Sequence, residues 1–180
     1  LVYNTNCTTL YYKNQYIPDL WKPFNSVMIN ASIDAVGPAA EVVRSGTVWS
    51  DVDTVLSTLQ QMTKTTRLGL SVTPVISALN IWWFDQWLEY FDSWNVNQVW
   101  PITAEYGDNA LSVIPLHLRP AIIKMLEDSK FSERFVSAID ILKTQNNTDR
   151  WPAFVNEQQM LDLRRGENWH DQLLASPFWN

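Results

Sequence analysis

The chain of 180 residues contains a single cysteine, Cys7. That scarcity excludes an internal disulfide, a C-x-x-C redox pair and any multi-cysteine metal or iron–sulfur site held by these residues alone. Glycine is sparse too, with five residues against a usual share of about 7%. The sequence has no G-x-S-x-G, no P-loop and no G-x-G-x-x-G, so the α/β-hydrolase, nucleotide-triphosphate and dinucleotide readings lack their key residues. Cations are outnumbered, 13 Lys+Arg against 19 Asp+Glu for a formal charge of −6, and they are scattered, which disfavours a nucleic-acid surface. Long apolar runs are missing as well. The stretch Val72 to Phe84 is interrupted by Thr73, Pro74, Ser77 and Asn80, and no run reaches the roughly 20 residues of a membrane span. With no membrane segment and no basic leader, a cytosolic location is expected; Leu1 to Tyr3 already reads as a strand under way, as in a fragment of a longer polypeptide.

What is present is apolar and aromatic. Hydrophobic residues make up 46% of the chain and ten are tryptophan, enough for a packed core. Short β-rich runs alternate with longer helical patterns, the signature of βα units and a parallel sheet. Strands are expected at Leu1–Thr5, Ser26–Ile33, Arg67–Thr73 and Asn97–Trp100, the last stopped by Pro101. Trp49 to Met62 places Trp49, Val52, Val55, Leu56 and Leu59 on one helical face. Asn80 is expected to cap a helix over Ile81–Trp94, whose aromatics exceed a single stripe and so predict burial on more than one side. Beyond Pro101 the pattern turns helical, over Leu118–Leu126, Glu133–Lys143 and Val155–Arg165. The expected architecture is α/β: about four parallel strands with outer helices over residues 1–106, then a helical extension over 107–180.

In parallel α/β folds ligands lie beyond the carboxyl ends of the strands. Polar residues collect there: Thr5 and Asn6, Ser32 and Asp34, Thr73 with Asn80 further along, and Thr103 with Glu105. Their convergence would make one crevice, although the same residue types also serve as turn formers and caps. His117 and His170 have no second ligand at helical spacing and read as surface residues, and Cys7 reads as a small buried hydrophobe.

The segments Thr5-Asn6, Met28 to Gly37 (M-I-N-A-S-I-D-A-V-G) and Val43 to Val52 (with Arg44, Gly46 and Trp49) resemble the second half of a radical SAM barrel of the twitch or SPASM type. Members show a T-N-G strand end, an S-I-D-G strand end and an R-x-G-x-x-W/F helix opening; the spacing of Phe154, Leu161-Asp162 and Arg164/Arg165 is similar to the twitch tail. Two positions depart from that pattern, Cys7 and Ala35, each where glycine is usual, so the turn geometry there is expected to differ.

The resemblance implies a half TIM-type barrel whose C-x-x-x-C-x-x-C loop and methionine-binding strand lie upstream of Leu1. It implies that Ser32 meets the ribose or amino-acid part of S-adenosylmethionine, that Arg44 meets its carboxylate, and that Asn80 is a further cofactor contact, with Asp34 and Asn6 toward the substrate. The complete enzyme would cleave S-adenosylmethionine at a [4Fe–4S] cluster and modify a peptide or protein, whereas these residues alone would be inactive and hold no cofactor. The unpaired strand edge predicts a homo-oligomer. The alternative is a non-catalytic interaction module built on a degenerate half-barrel.

Overall fold

The computed structural model describes residues 1–94 and 99–168. The fold is mixed α/β. Strand β1 (Val2–Thr5) is followed by a small hairpin, β2 (Tyr11–Tyr12) and β3 (Gln15–Tyr16), a short helix α1 (Ile17–Trp21), and β4 (Val27–Ala31). Helices α2 (Pro38–Val43) and α3 (Trp49–Thr65) then lead to β5 (Leu68–Val72), β6 (Val75–Ile76) and, after a 3-10 turn at Ile81–Trp83, helix α4 (Phe84–Ser93). Strand β7 (Ile102–Thr103) precedes helices α5 (Arg119–Asp128), α6 (Val136–Thr144) and α7 (Trp151–Arg165).

The first three expected strands are present, parallel, in the order β1-β4-β5. Of the fourth, Asn97 and Gln98 lie outside the described residues, while Val99 bridges Val72 in parallel and β7 pairs with β6 in parallel. Pro101 does not stop this run, contrary to expectation. The amides of Trp100, Ile102 and Ala104 donate in turn to the carbonyls of Val72, Pro74 and Ile76, at 2.9, 2.8 and 2.8 Å. Amides alternate in direction along a strand, so the N–H that Pro101 lacks belongs to the side facing away from this partner.

The segment between β1 and β4, for which no strand or helix is expected, carries structure of its own. Lys13 (φ 45°) and Asn14 (φ 63°) make a two-residue loop with positive φ at both positions, the requirement of a type I′ hairpin. A lysine in the first of those positions hides the usual Asn-Gly signal. Helix α3 is expected from its apolar spacing and is present; its first amide, Trp49 N–H, donates to Glu41 Oε1 at 2.8 Å, so α2 caps α3.

Two faces of the sheet differ sharply. Ile29, Ala31 and Val72 are fully buried on one face, as parallel strands covered by helices require. On the other, the register aligns Val2 with Met28 and Gly69, and Asn4 with Asn30 and Ser71, and Val2 is 66% exposed.

The aromatic helix is core. Trp82, Phe84, Trp87 and Phe91 are fully buried; Phe84 and Trp87 stack at 4.9 Å, and Phe84 meets Phe135 edge-on at 5.6 Å. Trp82, in the 3-10 turn before α4, faces Trp151 at 6.1 Å, so the turn and α4 together join the sheet to the helical extension in a single apolar core that includes Cys7 and Phe154. Among the described residues no helix is long and apolar enough to cross a membrane.

Candidate functional site

Strands β1 and β4 end side by side, the pairing continuing to Ser32, whose amide donates to the Thr5 carbonyl at 2.9 Å. The residues that follow, Asn6, Ser32 and Asp34, line one hollow together with Arg44 and Thr47 from the α2–α3 connection and Trp49 from α3. Four of the five site residues expected from sequence therefore do converge. The hollow encloses about 20 Å³, room for one water, so these side chains form a wall and not a closed pocket.

Asp34 is the hub of this wall. Its Oδ2 accepts from Arg44 Nε at 2.7 Å and from a terminal guanidinium nitrogen at 2.6 Å; its Oδ1 accepts from the Val75 amide at 2.8 Å. The second bond has a backbone cause. Past Pro74 the strand bends from β5 into β6, and Val75 N–H finds a carboxylate in place of a neighbouring strand. The Arg44 side chain stays 39% exposed, so it remains open to solvent.

Asn80 is placed differently from the other four. It is 1% exposed and does not cap the helix that follows it. Its Nδ2 donates to the carbonyls of Asp34 and Val75, both at 2.7 Å, and its Oδ1 accepts from the amide and hydroxyl of Ser77. With all its capacity engaged, it fixes the Asp34 and Val75 backbones that shape the wall. Trp87 Nε1 adds a bond to the Ile33 carbonyl at 2.8 Å, anchoring the same turn to the core.

The two departures from the glycine pattern resolve in opposite ways. Cys7 adopts φ 60°, the left-handed conformation that glycine takes without cost, so this turn carries a side chain where the backbone would suit glycine. Ala35 is not among the residues with positive φ; Gly37 is, at φ 59°, so there the left-handed position falls two residues later. Cys7 is fully buried, and burial pushes its thiol up to about 12 against a smaller opposing effect of the Thr5 hydroxyl. A thiol of that kind is a poor nucleophile and a poor metal ligand.

Sequence reading passed over one feature of this region. Ser71 Oγ donates to Asn30 Oδ1 at 2.6 Å and Asn30 Nδ2 donates to Asn4 Oδ1 at 2.9 Å, a polar row straight across three parallel strands on the sheet face opposite Ile29. The available signal was parity, since Asn4 and Asn30 alternate along their strands with the apolar Tyr3, Ile29 and Ala31.

The two groups implied by the resemblance are treated differently by these residues. A cluster needs several thiolates, and among the described residues no three His, Cys, Asp or Glu side chains are grouped to hold a metal; the donor set does not fit one. The wall presents the kinds of group that could meet one edge of an amino-acid-bearing nucleoside, the Arg44 guanidinium, the Ser32 hydroxyl and the Asn6 carboxamide. His117 is exposed, and His170 lies outside the described residues. No family model, no curated protein and no solved structure matches the chain.

Proposed function

We propose that the chain is the C-terminal half of a radical SAM barrel and supplies the ribose and carboxylate side of the cofactor cleft, with Ser32 and Arg44 as cofactor contacts and Asp34 and Asn6 toward the substrate. The observation that carries this reading is the convergence of Asn6, Ser32, Asp34 and Arg44 on one hollow at the carboxyl ends of adjacent parallel strands. Asn80 takes the part of a positioning residue beneath them. S-adenosylmethionine, bound at a cluster held by residues outside this chain, supplies the radical chemistry. The groups on this chain orient and shield it.

Further support comes from the exposed sheet face. Parallel sheets are normally covered on both sides, yet here Val2 and the Asn4 end of the polar row face solvent, and among the described residues β1 has no neighbour on its outer side. A barrel interior would account for the polar face and a preceding strand for the free edge. In the isolated chain the same edge favours pairing between copies, and the expected state is a homo-oligomer. A cluster-dependent parent acting on a peptide or protein belongs in a reducing compartment, the cytosol.

The second reading, a non-catalytic interaction module, rests on the mutual satisfaction of Asp34 and Arg44, which leaves the wall stable without a ligand. One experiment separates them. The parent polypeptide is isolated anaerobically, its residues upstream of Leu1 are read, and S-adenosylmethionine binding is measured by equilibrium dialysis. A cysteine triplet upstream, with about ten-fold weaker binding for Arg44→Gln, is expected. A parent without the triplet, or binding indifferent to Arg44, would overturn the proposal in favour of the module.

A further inference from the structure

At the opposite, amino-terminal end of the strands lies a second and much larger concavity, a groove of about 490 Å³. Small-molecule sites commonly span about 300–1,000 Å³, with apolar walls and a few placed polar groups. The base is apolar: Pro18, Trp21 and Leu68 are buried. Trp21 is held by Tyr3, ring centroids 5.5 Å apart, so this wall is built before anything binds. Phe24, 48% exposed, forms a lip.

The charges at the rim are unequal. Lys22 is paired with Asp19 at 2.7 Å. Arg67 lines the same groove and forms no ion pair among the described residues, on a chain whose net charge is −6. Its place is fixed by the sheet, because its carbonyl accepts from the Val27 amide at 3.3 Å at the head of β4 and β5. A guanidinium is always charged and prefers a planar carboxylate.

We propose that this groove is a ligand site for a small aromatic carboxylate, whose ring lies among Trp21, Phe24 and Leu68 and whose anion meets Arg67. The aromatic walls select a flat apolar body and the unpaired cation selects its charge. The site stands on the other end of the sheet from Asp34 and Arg44 and does not depend on the function proposed for that end.

The test uses the chain itself, with 2-naphthoate as probe and 2-naphthamide as its uncharged counterpart. Binding is followed by calorimetry and by the Trp21 indole N–H resonance, assigned with Trp21→Phe. Saturable binding of 2-naphthoate that shifts this resonance is expected, about ten-fold weaker in Arg67→Gln and partly restored in Arg67→Lys, while 2-naphthamide binds Arg67→Gln and wild type alike. Circular dichroism of each variant checks the fold. No saturable binding overturns the proposal. So does equal binding of both probes regardless of Arg67, which would mark a mere apolar patch, and so does a dimer in sedimentation that 2-naphthoate neither enters nor dissociates, which would mean that a second copy covers the groove.

Discussion

Arg44 grips a single oxygen of Asp34, using Nε at 2.7 Å and a terminal nitrogen at 2.6 Å, and leaves the other oxygen to the Val75 amide. The carboxylate therefore does two jobs and the guanidinium one. Because the Arg44 side chain is 39% exposed, solvent screens the pair and its coupling is worth about 1 kcal/mol or less. Arg44→Gln should cost about that much, whereas Asp34→Ala also strands the Val75 amide and should cost about 2 kcal/mol. Urea midpoints of the two variants and of the double variant give both numbers. Equal losses for the two single variants would remove Asp34 from its place as hub.

Asn80 offers a sharper contrast. Removing its side chain leaves the Asp34 and Val75 carbonyls and the Ser77 amide without partners in a 1% exposed site. Asn80→Ala should cost about 2–4 kcal/mol. Asn80→Asp keeps the acceptor but turns an anion toward two carbonyl oxygens, so it should be worse at neutral pH. Its urea midpoint should rise, relative to wild type, as acidification protonates the new carboxyl and restores a donor. An Asn80→Asp midpoint that tracks wild type from pH 7 to pH 4 would count against these bonds.

The helices α3 to α7 and the first three strands were legible in the sequence because apolar spacing and burial agree: Leu56 and Leu59 fall on one face of α3, and Ile29 and Ala31 on one face of β4. The strand-end rule led to Asn6, Ser32 and Asp34, and the resemblance to Arg44; these four share a hollow. What escaped is long-range or depends on a single backbone angle. Asn80 looked like a helix cap because only its neighbours in sequence were legible, while a decisive partner, the Asp34 carbonyl, lies 46 residues away. The hairpin escaped because Lys13 and Asn14 are not the residues that usually accept positive φ together. Pro101 was read as a terminus because a sequence does not reveal which way its missing N–H would point.

Cys7 should invert a familiar order. In most buried positions alanine is preferred to glycine, but at φ 60° a Cβ is strained by about 1 kcal/mol. Cys7→Gly should therefore be the more stable of Cys7→Gly and Cys7→Ala by roughly that amount, and Cys7→Val, β-branched, should be the least stable of the three. Thermal or urea denaturation of this series decides it. Alanine above glycine would mean that the left-handed turn at the end of β1 is not retained in solution.

Alkaline pH should unfold the chain by a route that starts at one buried and one half-buried group. The folded Cys7 thiol is pushed up to about 12, chiefly by burial, and the Tyr90 phenol is held well above its ordinary range by burial and by donation to Asp53. The unfolded chain loses these protons first, so above about pH 9 the folded state binds more protons and stability falls as pH rises. The Cys7 contribution is present in full below pH 9 and is lost progressively toward about 12, with a slope of at most about 1.4 kcal/mol per pH unit for one proton. Cys7→Ala should flatten the decline between pH 9 and 11, and the native thiol should resist alkylation at pH 8 until denaturant is added. Rapid labelling of the native chain would contradict the burial of Cys7.

Arg119 anchors the helical extension without any carboxylate. It is 3% exposed and donates to four carbonyls, those of Ile114 at 2.8 Å, Ser112 at 2.7 Å, Leu142 at 3.0 Å and Gln145 at 2.6 Å. Burial pulls its guanidinium below the ordinary value, yet the fork holds the approach to α5 against the end of α6. Arg119→Met fills most of the volume but takes a donor from four carbonyls, of which only that of Ser112 keeps another, the Asn147 amide, and a loss of about 3–5 kcal/mol is expected. Arg119→Lys keeps the charge but replaces a planar fork with a point donor, which cannot reach all four carbonyls, so it should recover less than half of that loss. Hydrogen exchange localises the effect: the Asn147 amide, bonded to the Ser112 carbonyl at 2.9 Å, should lose protection before the amides of β4 do. If Arg119→Lys were as stable as wild type, or if β4 opened together with Asn147, the four-carbonyl anchor would not be what ties this segment to the rest.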